Sequence, residues 1–342
     1  MSEPYRVLII GAGLAGLTAA DVLTSTGSSD ESPIEVTIVD KARGPGGRLA
    51  TRRIGDATLD HGAQFFTVRS EDFRARVDRL MADGVVEEWC RGFDPTDGYP
   101  RYRTAGGMNR LGKHLAAELT DRVTLVTRQR VEAIIAGPDR WTATYEAATR
   151  EPDEADAIIA TPPVPQTVDV LRAGASMPGG DLGDRLAGIA YHKVLAVLAT
   201  VDPSPGLPGP GALQRPDHPV FTFVADNRAK GISDEAAVTF HLAHALSAEL
   251  WDASDEEVLA TVDEELRAVL GPAAVTEVQV KRWRYAGPVS PSPEPSLQIA
   301  ERPGPLLLAG DAFAGAKVEG AFLSGLDAGR TIRRLAAERS AG

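Results

Sequence analysis

At 342 residues the chain is long enough for two domains of ordinary size, and its 43% hydrophobic and 25% charged residues describe an ordinary globular protein. A formal net charge of -12 argues against a broad nucleic-acid or anionic-membrane surface, because such binding needs clustered Lys and Arg to neutralise phosphates; any phosphate has to be gripped locally. The single cysteine, Cys90, excludes an intrachain disulfide and fits a reducing compartment, so a cytoplasmic location is expected. With 34 Gly and 24 Pro, tight turns and loops are expected throughout.

Tyr5 to Ile10 (YRVLII) reads as a buried parallel strand, Leu14 to Ser25 as a helix and Ile34 to Val39 (IEVTIV) as a second strand, a βαβ unit. The apolar stretch Val7 to Ala20 imitates a signal-peptide core, but its glycines fall at fingerprint spacing and place it inside the fold. No run reaches the ~18 apolar residues of a membrane span. The polar link Gly27 to Pro33 (GSSDESP) has turn chemistry and is expected to lengthen the connection with a mobile tip. Glu71 to Ala82 and Met108 to Leu119 carry apolar residues at helical spacing. Val123 to Val126, Val131 to Ile135, Trp141 to Tyr145 and Ala157 to Ala160 cluster β-formers and suggest one small sheet, stopped by Thr161-Pro162-Pro163. Between Pro165 and Val280 short helices mix with strands such as Val194 to Val201, Val220 to Val224 and Val238 to Leu242. A Pro-rich loop (GPVSPSPEP, Gly287 to Pro295) leads to a last strand, Leu306 to Ala309, and a closing helix from about Glu319 to Ala337.

Gly11-Ala12-Gly13-Leu14-Ala15-Gly16 directly follows a strand and opens a helix, and Asp40 ends the next strand. Gly11 permits the tight turn, Gly13 lets a pyrophosphate approach the backbone, Gly16 allows close helix–strand packing, and the helix start at Leu14 and Ala15 offers unpaired N–H groups to an anion. Asp40 is placed to accept from ribose hydroxyls. This fingerprint by itself does not separate FAD from NAD.

Lys41-Ala42-Arg43-Gly44-Pro45-Gly46-Gly47-Arg48-Leu49-Ala50-Thr51 resembles the second dinucleotide-contact motif of the monoamine oxidase superfamily, in the spaced form of the renalase-like proteins. Gly46 and Gly47 let backbone amides turn toward a pyrophosphate, and Arg43 or Arg48 can pair with it as a rigid two-pronged donor. Asp60-His61-Gly62-Ala63-Gln64-Phe65-Phe66 resembles the segment that in this family runs beside the isoalloxazine ring, with Gly62, Ala63 and Gln64 as the positions carried over and His61 read as a satisfied structural histidine. Leu306 to Asp311, then Val318-Glu319-Gly320-Ala321 and Ser324-Gly325, looks like the third FAD motif. The resemblance implies that Gly310 and Asp311 serve the ribityl or phosphate side, that Glu319 and the Gly320 and Ala321 amides face the pyrimidine edge, and that Lys41 and Val131 also touch the cofactor. Ala105-Gly106-Gly107-Met108-Asn109 and Trp283-Arg284-Tyr285-Ala286 bring the likeness nearer to the renalase-like proteins; Trp283 and Tyr285 alternate on a strand and so share a face, where they could wall a substrate cavity or pack a core.

The resemblance therefore implies an α/β fold: a doubly wound, Rossmann-type FAD domain like that of p-hydroxybenzoate hydroxylase (residues 1–70, 105–162 and 278–342), with an inserted α+β substrate domain (71–104 and 163–277). It implies non-covalent FAD, since Cys90 lies outside the motif where covalent relatives attach the ring, and oxidation of dihydro isomers of NAD(P)H with dioxygen as acceptor and peroxide as product. Amine oxidation on the same scaffold, and an FAD-binding module without turnover, are the alternatives. Gln64, Trp283 and Tyr285 are the candidates for lining the flavin and substrate cavity, with no acid or base assigned. The lysine that amine oxidases hold near the ring is not identifiable; Lys193 and Lys317 are candidates. Arg101, Arg103, Arg215 and Arg284 could meet a substrate phosphate, although a solvated role is favoured for each. HExxH, CxxC, GxSxG and a Walker lysine are absent, so hydrolase, metal and NTPase chemistries have no support.

Overall fold

The computed structural model describes residues 3–25, 33–93 and 97–341. The link Gly27 to Pro33, apart from Pro33, lies outside them. Two compact units divide the chain: Met1–Gly47, Gly112–Ala190 and Pro288–Gly342 form the first, and Arg48–Leu111 with Tyr191–Gly287 the second.

The first unit is built on a six-stranded sheet in the order Leu297–Ala300, Leu306–Leu308, Ala157–Ala160, Tyr5–Ile10, Ile34–Asp40, Thr124–Thr127. The last five run parallel, and Leu297–Ala300 is an antiparallel edge. The continuous apolar runs at its centre are buried on both faces, Ala157–Ala160 completely, which is what a parallel sheet covered on both sides demands. The helix Leu14–Thr24 packs along the C-terminal helix Val318–Ala341 so closely that a Cβ on Gly325 would stand 2.1 Å from the Ala15 carbonyl oxygen. Val131–Ala136, Trp141–Tyr145 and Asp153–Ala155 form a separate three-stranded antiparallel sheet.

The expectation of one small sheet from four neighbouring segments is thus corrected. The first and last of the four enter the parallel sheet, and a strand not expected, Asp153–Ala155, completes the small one. β-Propensity marks a segment as strand but carries no information on its partner.

The second unit centres on a five-stranded sheet in the order Ala212–Gln214, Phe221–Asp226, Ala237–Leu242, Tyr191–Asp202, Ala274–Pro288. The helix Asp255–Leu270 covers one face with Val258, Val262, Leu266 and Leu270, each about 1.5–3 kcal/mol of apolar burial. Ser254 starts that helix as a capping box with Glu257. Two hairpins, Thr51–Ile54 with Ala57–Asp60 and Val86–Cys90 with Arg101–Thr104, belong to the same unit.

The division falls elsewhere than the domain limits expected from the sequence. Residues 48–70, 105–111 and 278–287 group with the second unit and residues 163–190 with the first. The hairpin Thr51–Asp60 buries Ile54, Ala57 and Leu59 against Leu198 and Ala237 of the five-stranded sheet, of which Ala274–Pro288 is itself an edge. In the first unit, Gly174 at the end of the helix Val164–Ala173 lies on strand Val131–Ala136, where a Cβ would stand 1.8 Å from the Ile134 carbonyl oxygen. Among the described residues no helix is long and apolar enough to cross a membrane.

Candidate functional site

In the first unit the two glycine-rich segments come together. Gly11 has a φ of +103°, and a Cβ there would stand 2.4 Å from Thr161 Oγ1; a Cβ on Gly16 would stand 2.0 Å from the Gly11 carbonyl oxygen. Both glycines are required by the turn itself. At Gly13 a Cβ would meet nothing within 4 Å, so the space before the helix is open. Gly13 is the N-cap of Leu14–Thr24, no side chain caps it, and no acid stands in the first turn formed by Leu14, Ala15 and Gly16, so the positive end of the helix dipole is left to an anion.

The Gly46 N–H donates to the Ala12 carbonyl at 2.9 Å, and Gly47, with φ +55°, lies against the Gly13 Cα. The second glycine loop is thereby laid on the first. Asp40 accepts from the Ala12 N–H and the Ala42 N–H, each at 2.6 Å, shaping both loops while keeping carboxylate lone pairs for hydroxyl donors. Lys41 donates to Gln166 Oε1 at 2.7 Å, Arg43 is exposed, and Val131 is buried opposite Tyr145.

Near the C-terminus Gly310 has φ +136° and its N–H donates to Ser324 Oγ at 2.8 Å, with Asp311 buried beside it. Glu319 stands in the first turn of Val318–Ala341. Gly320 is compelled by its surroundings, since a Cβ would be 1.9 Å from the Gly315 carbonyl oxygen. The Ala321 N–H donates to the Lys317 carbonyl at 3.0 Å, so the helix uses this amide for its own first turn.

The second unit holds Arg48 and the Asp60 to Gln64 segment. The Arg48 guanidinium donates to the Tyr285 carbonyl at 3.2 Å and sits 5.9 Å above the Tyr191 ring, whose edge meets Tyr285 at 5.7 Å between centroids. A Cβ on Gly62 would stand 2.0 Å from the Arg48 carbonyl oxygen, and the Ala63 N–H donates to that carbonyl at 3.0 Å. Trp283 stacks on His61 at 5.2 Å and donates from Nε1 to the His61 carbonyl at 2.7 Å. His61 is not the satisfied histidine expected: its Nδ1 is buried with no hydrogen-bond partner among the described residues, and burial drives its pKa down to about 4, with Lys281 and Arg52 adding to the shift. Gln64 is buried, and its amide serves its own segment, donating to the Asp60 carbonyl at 2.7 Å.

Sequence reasoning missed the group beneath this segment. Lys230 and Asp60, both with fully buried side chains, form an ion pair at 2.7 Å. Asp60 Oδ1 also accepts from the Met108 N–H at 2.8 Å, and Lys230 lies 5.2 Å from the Trp89 ring centroid. With the partners 170 positions apart in the chain, no local signal announces the pair. The only hint is a lysine set between the small residues of Ala229-Lys230-Gly231. Desolvation pulls the Lys230 pKa below the ordinary lysine value, against the attraction of Asp60.

The other candidate cations have partners. Arg101 pairs with Asp97, Arg103 with Glu87 and Arg215 with Glu265, while Arg284 and Lys193 both lie over the Trp251 ring. Lys317 is exposed.

Residues 9–80 match the NAD(P)-binding Rossmann-like domain, and residues 90–333 match the flavin containing amine oxidoreductase family. A hydroxyneurosporene desaturase of Rubrivivax gelatinosus is 42% identical over 72 residues, 20% of this chain but only 13% of that protein. Among solved structures, a candidate protoporphyrinogen oxidase of Exiguobacterium sp. 255-15 superposes with a TM-score of 0.73 at 13% identity, covering 98% of this chain and 100% of that one. A triple mutant of putrescine oxidase, redesigned in cofactor binding, superposes with a TM-score of 0.71 at 16% identity over 97% of this chain and 100% of that one. The uncapped helix start, the open space at Gly13 and the paired glycine loops fit the pyrophosphate of FAD. The chain thus belongs to the flavin containing amine oxidoreductase family and is an FAD-dependent oxidoreductase on a Rossmann-type α/β scaffold.

Proposed function

We propose that this protein is a renalase-like flavin oxidase, converting dihydro isomers of NAD(P)H reduced at the 2 or 6 position to NAD(P)+. The chemistry FAD supplies when bound is acceptance of a substrate hydride, with the electron pair later passed to dioxygen to give hydrogen peroxide. The ADP side is assigned to Gly11, Gly13 to Gly16, Asp40, Lys41, Arg43, Gly46 and Gly47, and the ribityl side to Gly310 and Asp311. Arg48, Gly62, Ala63 and Gln64, with Val131, Glu319, Gly320 and Ala321, are assigned to the remaining cofactor contacts.

One observation favours this substrate class. On strand Ala274–Pro288, Lys281, Trp283 and Tyr285 alternate onto one face of the second unit. Trp283 stacks on a neutral His61 that lies in the field of Lys281 and Arg52, and Tyr285 meets Tyr191 under the Arg48 guanidinium. The Asp60 carboxylate is held by Lys230, and Asp255 by Arg282. The face is therefore aromatic, with the cations Lys281 and Arg52 beside His61. It suits a flat heterocycle carrying phosphates, whereas a protonated amine would approach against like charge.

Mixing the FAD-loaded protein anaerobically with 2-dihydro and 6-dihydro NAD(P), NADH and a panel of amines, while following the flavin absorbance, tests the assignment. Bleaching by a dihydro isomer, with peroxide formed on admitting air, is the expected result. Bleaching by amines alone would move the protein to amine oxidation, and bleaching by none would leave an FAD-binding module.

A further inference from the structure

The buried polar group of the second unit contains a chain of orientations that each fix the next. The Lys230 ammonium has only hydrogens to offer, so the Gln64 amide atom 3.4 Å from it must be the oxygen. At the other end of the amide, the second atom lies 2.7 Å from the Asp60 carbonyl oxygen and 3.4 Å from the Gly62 carbonyl oxygen, so it must be the nitrogen. Two independent neighbourhoods demand one orientation.

That nitrogen also lies 3.4 Å from His241 Nε2, and with one of its two hydrogens on the Asp60 carbonyl the other is available to the imidazole. A donor there needs a lone pair opposite it, and a neutral imidazole offers one at Nε2 only when its hydrogen is on Nδ1. Burial holds the ring neutral, with a pKa of about 4 despite the nearby Asp60, and His61 and Lys230 add to the shift. The ring also meets the His61 backbone, whose carbonyl already accepts from Trp283 Nε1 at 2.7 Å. Thr239 Oγ1 adds a second donor to the Asp60 carbonyl at 2.8 Å.

We propose that Lys230 is a positioning residue: through Asp60 and the Gln64 oxygen it fixes the Gln64 amide, and through that amide, whose two hydrogens go to the Asp60 carbonyl and to His241 Nε2, it holds His241 as the neutral Nδ1–H tautomer. Any role of this amide beside the flavin rests on the assignment of residues 62–64 to the cofactor. The tautomer does not, so either can fail without the other.

The test uses the full-length, FAD-loaded protein carrying 15N-histidine, read at neutral pH by two-bond 1H–15N correlation, with His241 assigned by the pattern missing from His241→Asn. The expected wild-type pattern is a protonated Nδ1 and a bare Nε2. In Gln64→Glu the carboxylate accepts from Lys230 and has no hydrogen to give, so the His241 pattern reverses. In the double variant Lys230→Met/Asp60→Asn, which removes the buried charges together, the amide nitrogen keeps the backbone carbonyls of residues 60 and 62 but its oxygen loses the ammonium, so His241 shows a mixture still weighted toward the wild-type tautomer. A wild-type His241 protonated on Nε2, a Gln64→Glu spectrum identical to wild type, or a double variant with the wild-type pattern overturns the proposal. Should Gln64→Glu fail to fold, the wild-type and double-variant spectra still decide it.

Discussion

Replacing Lys230 by Met would leave Asp60, whose side chain is fully buried, as a carboxylate without its counter-charge. Breaking one side of a buried pair costs about 3–5 kcal/mol, because the desolvation of the survivor is no longer offset. Asp60 keeps donors from the Met108 N–H at 2.8 Å and Thr51 Oγ1 at 2.5 Å, which puts the expected loss at the lower end, about 3 kcal/mol. The double variant Lys230→Met/Asp60→Asn removes both charges and lets an amide oxygen accept from the same two donors, so it should fall within about 1 kcal/mol of wild type, a coupling of roughly 2 kcal/mol or more between the sites. Urea unfolding followed by far-UV circular dichroism at pH 7 measures each corner of the cycle. The single variant should also melt about 6–12 °C lower, at 2–4 °C per kcal/mol. A double variant as unstable as the sum of the two single variants would show that the pair does not hold this unit together and would refute the reasoning.

Other consequences are equally direct. His61 and His241 each titrate at about 4 in the folded protein against 6.5 when free, so the unfolded chain takes up protons first. Stability from them is complete above pH 6.5 and lost as pH falls toward 4, with a slope of up to about 2.7 kcal/mol per pH unit for two protons; urea midpoints across pH 4 to 7 should show it, and His61→Gln or His241→Gln should each remove about half the slope. Gly13→Ala has room in the protein, whereas at Gly16 a Cβ would sit 2.0 Å from the Gly11 carbonyl oxygen. Gly13→Ala should therefore keep its apoprotein melting temperature and bind FAD at least about tenfold more weakly by titration, while Gly16→Ala should lose about 1–3 kcal/mol by urea unfolding. Ser254→Ala removes a capping box that starts the helix Asp255–Leu270 and should cost about 1 kcal/mol in the same assay.

Much of the dinucleotide-binding half was readable in the chain because its signals are local. The strand Tyr5–Ile10, the helix beginning at Leu14 and the strand Ile34–Asp40 lie where the apolar pattern and glycine spacing put them, and Glu71–Ala82 shows its helical period within twelve residues. Gly46 and Gly47 were marked as a second loop by composition and family resemblance, and the fold lays them on Ala12 and Gly13 as a glycine-lined cradle would require. Short strands such as Asp153–Ala155 and Ala212–Gln214 escaped because three residues carry no period to detect.

The amino-acid order by itself determined the turns, the helix starts and the apolar runs, since each depends on residues within a few positions of one another. Only the tertiary structure decided that Arg48 spends its guanidinium on the Tyr285 carbonyl, that the hairpin Thr51–Asp60 belongs with the five-stranded sheet, and that Lys230 reaches Asp60. Those outcomes turn on which surfaces bury one another across more than a hundred residues of chain. A buried charge finds its partner through the cost of leaving water unpaired, a cost that exists only once the core has closed around it.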